Sequence, residues 1–249
     1  MDTITAVIHT YNEEHTIGEC IKSAKLLTND IIVIDMTSTD STVLEARKHG
    51  GTVYTIAHTQ YVEPARAYGI NKAQGDWVCI LDADEQMTPE LATELKQSTQ
   101  GVFTHYKVPR KNIFVGKKWL QYGGWWPDYQ IRLIKKSAFQ SWPSHIHSTP
   151  VITGKLGISK HGLLHLFHPS LHAMVEKTII YESIEAQLLY SAGRKVSVRT
   201  FFRKFFGELF RRLVRKVGFL DGTLGIIESM YQAYSKTITW LFLYEKQRQ

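Results

Sequence analysis

The feature that most constrains the fold is a regular alternation of short β-branched runs and helical stretches over the first hundred residues. Buried strands are predicted at residues 4–8, 31–35, 52–56 and 77–81. Helices are predicted over residues 14–24, from the Ser38-Thr39-Asp40 cap to residue 49, over 64–73, and from Pro89 onward after the Thr88 cap. This alternation predicts an α/β fold, a mostly parallel sheet with helices on both faces.

The pattern changes twice further along the chain. From about residue 101 to 170 it loosens into short strands and loops rich in Trp, Tyr, Gly and His. From Leu171 onward it is nearly all helical, with breaks near Gly193 and Gly218–Gly225. We therefore divide the chain into residues 1–100, 101–170 and 171–249.

The composition of the chain limits which cellular location and which kinds of binding partner it favours. No apolar run reaches the roughly 18–20 residues that a membrane span needs, and the N-terminus lacks a signal-peptide pattern. The two cysteines show no disulfide or metal spacing, which favours a reduced, cytoplasmic location. A formal net charge of +7 predicts an anionic partner.

Polar residues follow three of the predicted strands, where a parallel sheet binds its ligands. Residues 9–14 follow the first strand, residues 35–40 end the second, and Asp82 and Asp84 follow the fourth. On an extended segment, side chains two residues apart project to the same side. Two carboxylates held together repel each other unless a cation lies beside them. Oxygen ligands of this kind favour Mg²⁺ or Mn²⁺ carrying a diphosphate, against the alternative of a solvated acidic turn.

Several blocks together resemble family 2 glycosyltransferases of the GT-A type. They are residues 4–14, which end in Tyr-Asn-Glu-Glu, residues 31–42, residues 65–73, Gly75-Asp76-Trp77, and residues 81–85. The resemblance is strong over residues 3–100. It implies a GT-A, Rossmann-like sheet and a nucleotide-sugar donor, with a helical C-terminal extension after it.

The resemblance also implies roles for individual residues. Those bordering the nucleotide pocket are Thr10, Tyr11 and Glu13. Asp35 would accept a hydrogen bond from uracil, so the donor would be a UDP-sugar, and Arg66 would lie near the nucleotide or the diphosphate. Asp82 would lie near the ribose and the metal, and Asp84 would bind Mg²⁺ or Mn²⁺ directly. The sequence departs from the family at Met36 and Thr37, where small polar residues and glycine are usual.

Weaker resemblance extends to a branch that includes lipopolysaccharide core glucosyltransferases. It lies in residues 123–128 (Gly-Gly-Trp-Trp-Pro-Asp), 130–133 and 218–222. That branch has a His-Glu pair where this chain has His147-Ser148, so His147 is the first candidate for the catalytic base and Asp128 the second. The implied reaction is an inverting displacement on a glycan or glycolipid acceptor of the cell envelope. Trp125 and Trp126 belong either to the acceptor loop or to a core.

Basic and aromatic residues are concentrated between residues 194 and 216. Nine Lys and Arg residues alternate there with phenylalanine pairs, and only Glu208 opposes their charge. A basic amphipathic helix of this kind predicts binding to an anionic membrane surface, which would place the protein peripherally on the inner face of the cell membrane. The alternative is a helix whose phenylalanine face packs on the catalytic part of the chain.

Other functions are less compatible with the sequence. A nucleotidyltransferase would have a Gly-rich, basic loop after the first strand, and residues 9–14 contain none. No nucleic-acid-binding module is recognisable, so we expect no nucleic-acid partner. A catalytically degenerate GT-A protein that binds a membrane surface remains the alternative, because Ser148 stands where a glutamate is expected.

Overall fold

The computed structural model describes residues 2–59, 61–145, 148–168 and 170–248. The chain forms two compact units, each built from two segments. Unit 1 comprises Met1–Arg110 and Tyr129–His165, and unit 2 comprises Lys111–Asp128 and Leu166–Gln249.

The strands and helices of the first hundred residues alternate as predicted. In chain order they are β1 (Ile4–Thr10), α1 (Ile17–Ala24), β2 (Ile31–Asp35), α2 (Thr42–Lys48), β3 (Thr52–Thr55), α3 (Glu63–Lys72), β4 (Trp77–Asp82), β5 (Glu85–Gln86) and α4 (Pro89–Ser98). The Oγ1 atom of Thr88 accepts a hydrogen bond from the backbone N–H of Leu91, which is the predicted cap of α4.

Shorter strands and then long helices complete the chain. The strands are β6 (His105–Phe114), β7 (Lys118–Trp119), β8 (Asp128–Lys135), β9 (Phe139–Ser141), β10 (Val151–Ile152), β11 (Leu156–Ile158) and β12 (Leu163–His165). The helices are α5 (Leu171–Ser191), α6 (Val198–Leu209) and α7 (Gly222–Lys246). A π-helical segment, Phe210–Arg215, continues α6, and a 3₁₀ turn, Gly218–Asp221, precedes α7.

The main sheet is parallel at one side and mixed at the other, where β11 pairs with β6 in parallel. Its strand order over the described residues is β3-β2-β1-β4-β8-β6-β12-β5. β1 pairs in parallel with both β2 and β4. β8 runs antiparallel to β4, and β12 runs antiparallel to β5. This arrangement matches the predicted α/β class and adds an antiparallel edge that periodicity alone did not predict.

Both faces of the parallel part are buried, which explains why its strands are continuously apolar. On β1, Ile8 packs with one core cluster and Val7 with the other, because successive side chains point to opposite faces. The first cluster is completed by apolar residues of α1, α2 and α4. The second cluster is completed by Ala65 and Ile70 of α3. The helices therefore cover the sheet from both sides, as the sequence predicted.

Unit 2 has a small core of its own. Phe114, Leu120 and Met174 form its buried centre, and Trp125 is one of the partly buried residues packed against it. The ring centroids of Trp125 and Phe167 lie 4.5 Å apart. Trp125 thus has the core role that the sequence left as an alternative.

None of the helices in the described part of the chain combines the length and the apolar character that crossing a bilayer requires.

Candidate functional site

The predicted site residues of β1 and β2 lie side by side at the carboxyl ends of these strands. Thr10 is directly opposite Asp35 in the parallel register. Both residues are buried, and both Asp35 carboxylate oxygens accept from the backbone N–H of Ser38, at 3.3 and 3.2 Å. The Oγ1 atom of Thr10 is buried and has no hydrogen-bond partner among the described residues.

The two loops that follow β1 and β2 are tied together. Asn12 has a positive φ of 52°, and its Oδ1 atom accepts a hydrogen bond from the backbone N–H of Thr39 at 2.8 Å. The backbone N–H of Glu13 donates to Thr42 Oγ1 at 2.8 Å, and a Glu13 carboxylate oxygen accepts from Thr16 at 2.8 Å. These bonds fix the loop backbone beside the predicted nucleotide pocket.

Tyr11 and Thr37 lie in the two loops that follow β1 and β2. The ring of Tyr11 stacks on His58, with centroids 4.1 Å apart, and Tyr11 is 38% exposed. Thr37 has a φ of 62°, in the left-handed region that favours glycine, and its hydroxyl donates to the carbonyl of Ile56 at 2.6 Å. Thr37 therefore adopts a backbone conformation that glycine takes more readily.

Asp82, the last residue of β4, is held between two arginines. Its Oδ1 atom accepts from Arg66 Nη2 at 2.9 Å, and its Oδ2 atom accepts from Arg132 Nη2 at 2.6 Å. Burial alone would raise the pKa of Asp82, but the positive charges of Arg132 and Arg66 outweigh it and hold the pKa well below its usual range. Asp82 is therefore ionised at neutral pH.

Arg132 also binds a second, fully buried carboxylate. Its Nη2 atom lies 2.5 Å from Glu85 Oε1, and Arg110 Nη1 lies 3.5 Å from the same oxygen. Burial would lower the pKa of Arg132, but Asp82 and Glu85 raise it above its already high value. The network thus joins three guanidinium groups to two carboxylates.

Asp84 lies in the turn between β4 and β5, two residues after Asp82. The Oε2 atom of Glu85 accepts from the backbone N–H of Asp82 at 3.1 Å and so closes the turn. The prediction that Asp82 and Asp84 lie on one extended segment is wrong, because Asp84 is in a turn and strand alternation does not set its direction. Its Oδ2 atom lies 3.4 Å from His165 Nε2.

His165 reaches Asp84 because of the strand pairing. It is directly opposite Glu85 in the antiparallel β5–β12 register, one residue beyond the Asp84 turn. Side-chain exposure is 10% for His165 and 19% for Asp84, so both side chains are largely buried but still reached by solvent.

Asp84 and His165 are suited to share a divalent ion. Adjacent ligands of an octahedral ion at about 2.1 Å are about 3 Å apart, close to the separation of this oxygen and this nitrogen. The described residues contain no group of three or more His, Cys, Asp or Glu side chains placed for a metal. Mg²⁺ and Mn²⁺ commonly keep several waters and take further ligands from a substrate phosphate.

A cleft of about 320 Å³ opens beside the arginines within unit 1. Its lining residues are Glu63, Arg66, Gln130, Ile131, Arg132, Trp142, Ser148, Thr149 and Pro150. Arg66 Nη1 and Arg132 Nε are buried without a hydrogen-bond partner among the described residues. The Arg66 guanidinium also lies 5.2 Å from the Trp142 ring centroid. Unused guanidinium donors beside a cleft are a physical basis for binding phosphate oxygens.

His9 lies behind the cleft and carries no charge. Burial, together with the positive charge of Arg66, lowers its pKa to about 3. Its Nε2 atom is 3.3 Å from the carbonyl oxygen of Ala65. A neutral His9 adds nothing to the positive potential of the cleft and takes no proton at working pH.

The two predicted catalytic bases are placed differently. His147 lies outside the described residues. Asp128 belongs to unit 2, where its Oδ2 atom accepts from Asn112 Nδ2 at 3.2 Å. Ser148, at the position of the expected glutamate, lines the cleft, and its hydroxyl donates to the carbonyl of Pro143 at 2.5 Å.

Two residues that the structure brings into the site, Arg132 and His165, have no role predicted from the sequence. Arg132 lies within residues 130–133, one of the segments that carry the weaker resemblance, but only the antiparallel pairing of β8 with β4 brings it to Asp82. His165 comes from a three-residue strand 81 positions after Asp84 along the chain. No local pattern links two residues so far apart.

Known proteins are similar to this chain over most of its length. The family model Glycosyl transferase family 2 matches residues 5–152. An uncharacterized glycosyltransferase of Rickettsia prowazekii is 26% identical over 260 residues, covering 95% of this chain and 85% of that protein. The lipopolysaccharide core biosynthesis glycosyltransferase LpsC of Rhizobium meliloti is 24% identical, and the match covers 98% of this chain and 92% of LpsC.

Solved structures show the same kind of fold. Glucosyl-3-phosphoglycerate synthase from Mycobacterium tuberculosis, in complex with Mn²⁺ and UDP-glucose, has a TM-score of 0.51 and 18% identity, covering 79% of this chain and 81% of that one. The mannosyltransferase PcManGT from Pyrobaculum calidifontis, in complex with GDP-Man and Mn²⁺, has a TM-score of 0.52 and 14% identity. The match covers 94% of this chain and 74% of that one. These likenesses identify the fold as GT-A-like.

Proposed function

The chain belongs to glycosyl transferase family 2, and we propose that it is an inverting, metal-dependent enzyme that moves a sugar from a UDP-sugar to a glycan or glycolipid acceptor of the cell envelope. The observation that carries this proposal is the pairing of two sites at one end of the sheet. Arg66 and Arg132 flank Asp82 beside a cleft, and Asp84 meets His165 next to them.

The donor assignment has support from this geometry and from the neighbours. Arg66 and Arg132 offer buried donors to a diphosphate, while Tyr11 offers a stacking surface to a base. The glucosyl-3-phosphoglycerate synthase structure contains UDP-glucose and Mn²⁺, which favours uridine, whereas the mannosyltransferase structure contains GDP-Man. Thr10, Glu13 and Asp35 complete the proposed nucleotide pocket.

In the proposed mechanism, the residues of this chain orient the donor and neutralise its leaving group. A Mg²⁺ or Mn²⁺ ion held by Asp84 and His165 would neutralise negative charge on the diphosphate. Arg66 and Arg132 add fixed positive charge there without reorganising, because Asp82 and Glu85 already hold them in place. A base takes the proton of the acceptor hydroxyl, which attacks the anomeric carbon from the face opposite the diphosphate. His147 and Asp128 remain the proposed bases.

The regions of the chain have distinct proposed roles. Residues 1–100 hold most of the donor site. Residues 101–170 bind the acceptor and add Arg132 and His165 to the donor site, and residues 171–249 associate with the membrane. The name of LpsC supports a lipopolysaccharide-like acceptor. The exposed phenylalanine residues of α6 support attachment to the cytoplasmic face of an anionic membrane.

The test is nucleotide release from a panel of UDP- and GDP-sugars by the purified full chain with Mn²⁺, Mg²⁺ or EDTA. We expect release from one UDP-sugar that EDTA abolishes. Asp84→Ala should lower turnover by about a hundredfold or more, because the leaving diphosphate loses its counter-charge. His165→Ala should raise the Mn²⁺ concentration needed for half-maximal turnover by about tenfold or more, because the ion loses one of its two proposed protein ligands.

Glu19→Ala is the matched control, since Glu19 is an exposed carboxylate paired only with Lys22 in the described structure. It should leave turnover unchanged. Metal-independent release, or full activity of Asp84→Ala, would contradict the metal assignment. If UDP binds in calorimetry but no donor releases nucleotide, even with envelope glycolipid added, the chain is the degenerate binding protein instead.

A further inference from the structure

A second cleft, of about 540 Å³, lies within unit 2 among α5, α6 and α7. Its lining carries more cationic than acidic side chains. Its charged lining residues are Glu185, Arg203, Lys204, Glu208, Arg211 and Lys236, and the aromatic ring of Trp240 forms part of its wall. Four cations and two carboxylates leave a net positive charge for an anionic ligand.

The carboxylates do not neutralise all of these cations. Glu208 is bound by Arg211, at 2.9 and 2.5 Å, and by Arg212 at 2.7 Å. Lys204 lies 5.0 Å from the Trp240 ring centroid. Among the described residues, neither Arg203 nor Lys236 has a carboxylate within ion-pair distance. These two cations remain available to a ligand.

An exposed apolar stripe adjoins the cleft along the same helix. Val198, Phe202 and Phe206 recur every fourth residue of α6 and are 70%, 61% and 57% exposed. Phe210 and Val214 continue the series in the π-helical segment, at 61% and 50% exposure. Because consecutive helical residues are about 100° apart, Arg203 lies on the face between the stripe and the cleft.

We propose that this cleft binds the phosphate of an anionic phospholipid headgroup while the phenylalanine stripe enters the bilayer interface. This proposal deepens the membrane attachment in the proposed function and rests on it. Arg203 and Lys236 contact the phosphate, and Trp240 lies at the interfacial depth that tryptophan favours. The lipid's acyl chains then run beside the exposed stripe.

A bilayer matches the charges around the stripe better than a second copy of this chain does. Arg199, Arg203, Arg215 and Lys216 are exposed near the stripe. In a two-fold dimer through the stripe, these like charges would face one another. Against anionic lipids, each basic residue near the surface strengthens binding by about fivefold.

The experiment compares the full chain on phosphatidylcholine vesicles with and without phosphatidylglycerol. The cleft variant is Arg203→Gln with Lys236→Gln, and the control is Arg194→Gln with Lys195→Gln, which removes the same charge from an exposed segment outside the cleft. We expect the cleft variant to bind anionic vesicles about tenfold or more weaker than the control does. Both variants should keep the wild-type melting temperature.

A second readout reports on the cleft itself. Titrating a short-chain, water-soluble phosphatidylglycerol should change the tryptophan fluorescence of the wild type, and Trp240→Phe should abolish the change. Inorganic phosphate should produce it only at far higher concentration, because it lacks the chains that contact the stripe. An equal response to both ligands would overturn the lipid assignment.

Other outcomes separate this proposal from the transferase proposal. If the cleft and control variants lose equal affinity, only diffuse charge attracts the membrane and the headgroup site is wrong. If the wild type binds no vesicles and sediments as a dimer, the stripe is a self-association surface and the proposal fails. Donor hydrolysis by the wild type in solution tests the transferase chemistry independently.

Discussion

Asp82 and Asp84 are separated by one residue, yet their carboxylates have different partners. Arg66 and Arg132 hold Asp82, whose low pKa means that it stabilises the fold above the ordinary pKa of an aspartate. This stabilisation is lost as the pH falls through the lowered pKa. Asp84 Oδ2 lies 3.4 Å from His165 Nε2, and Asp84 is the carboxylate that we propose as the direct metal ligand.

Glu228 of α7 shows the opposite electrostatic effect. It is 1% exposed, and burial raises its pKa to about 7, against the weaker opposing effects of its hydrogen bond from Gln232 and the charge of Arg212. Between about pH 4.5 and pH 7 the folded chain holds a proton that the unfolded chain releases. Glu228 therefore lowers the stability of the fold as the pH rises through this range.

We expect Glu228→Gln to stabilise the protein at pH 8 by about 3 kcal/mol and to change little near pH 4.5, since the amide never ionises. Urea unfolding at the two pH values measures the difference. Glu245→Gln, an exposed glutamate of the same helix, is the control and should show no such pH dependence. An equal effect of Glu228→Gln at both pH values would contradict the titration.

At the scale of elements, the 3₁₀ turn Gly218–Asp221 fastens the Gly-Gly-Trp-Trp loop of unit 2. Asp221 Oδ2 accepts from the backbone N–H groups of Gln121 and Tyr122, at 2.9 and 2.8 Å. Arg212, just before the turn, donates to the Gly123 carbonyl at 3.2 Å and lies 4.9 Å from the Trp125 ring centroid. Two separate motifs of the lipopolysaccharide-type branch therefore form one structural feature.

Asp221→Ala should loosen this loop, because two backbone N–H groups lose their acceptor at a cost of about 1–3 kcal/mol. Hydrogen exchange of a peptide covering residues 117–126 should accelerate about tenfold or more. Leu220→Ala, at an exposed position of the same turn, should leave the exchange rate unchanged. If this peptide exchanges in Asp221→Ala at the rate of the wild type, other contacts hold the loop.

At the scale of the whole molecule, charge and exposed apolar surface occur in the same part of the chain. The formal net charge is +7, and nine Lys and Arg residues lie between residues 194 and 216. The same stretch carries the exposed stripe of α6, and α5 and α7 expose further large apolar side chains, among them Ile180 and Met230. This combination favours a charged apolar surface such as an anionic bilayer.

Binding of the full chain to anionic vesicles should therefore weaken with salt but not vanish. Raising the ionic strength from 0.1 M to 1 M shortens the Debye length from about 10 Å to about 3 Å and screens the attraction of Lys and Arg to headgroups. The apolar contribution should persist, so replacing Phe202 and Phe206 by serine should remove the residual binding at high salt. Vesicle flotation across a salt series measures both effects. Vesicle binding that does not change with salt would contradict an electrostatic contribution from Lys and Arg.

The sequence by itself determined the α/β alternation, the parallel core and the positions of Asp35, Asp82 and Asp84 at strand ends. These features follow from local periodicity and from strand ends, which the neighbouring residues specify. The amphipathic α6 followed for the same reason, since the four-residue spacing of Phe202 and Phe206 is visible in the chain itself.

Only the tertiary structure decided which residues meet. Arg132 reaches Asp82, and His165 reaches Asp84, through antiparallel pairings that join positions 50 and 81 residues apart. The pairing of distant strands depends on packing of the whole sheet, and no local pattern records it. The same holds for Trp125, whose place in the core of unit 2 depends on Phe167 and Arg212.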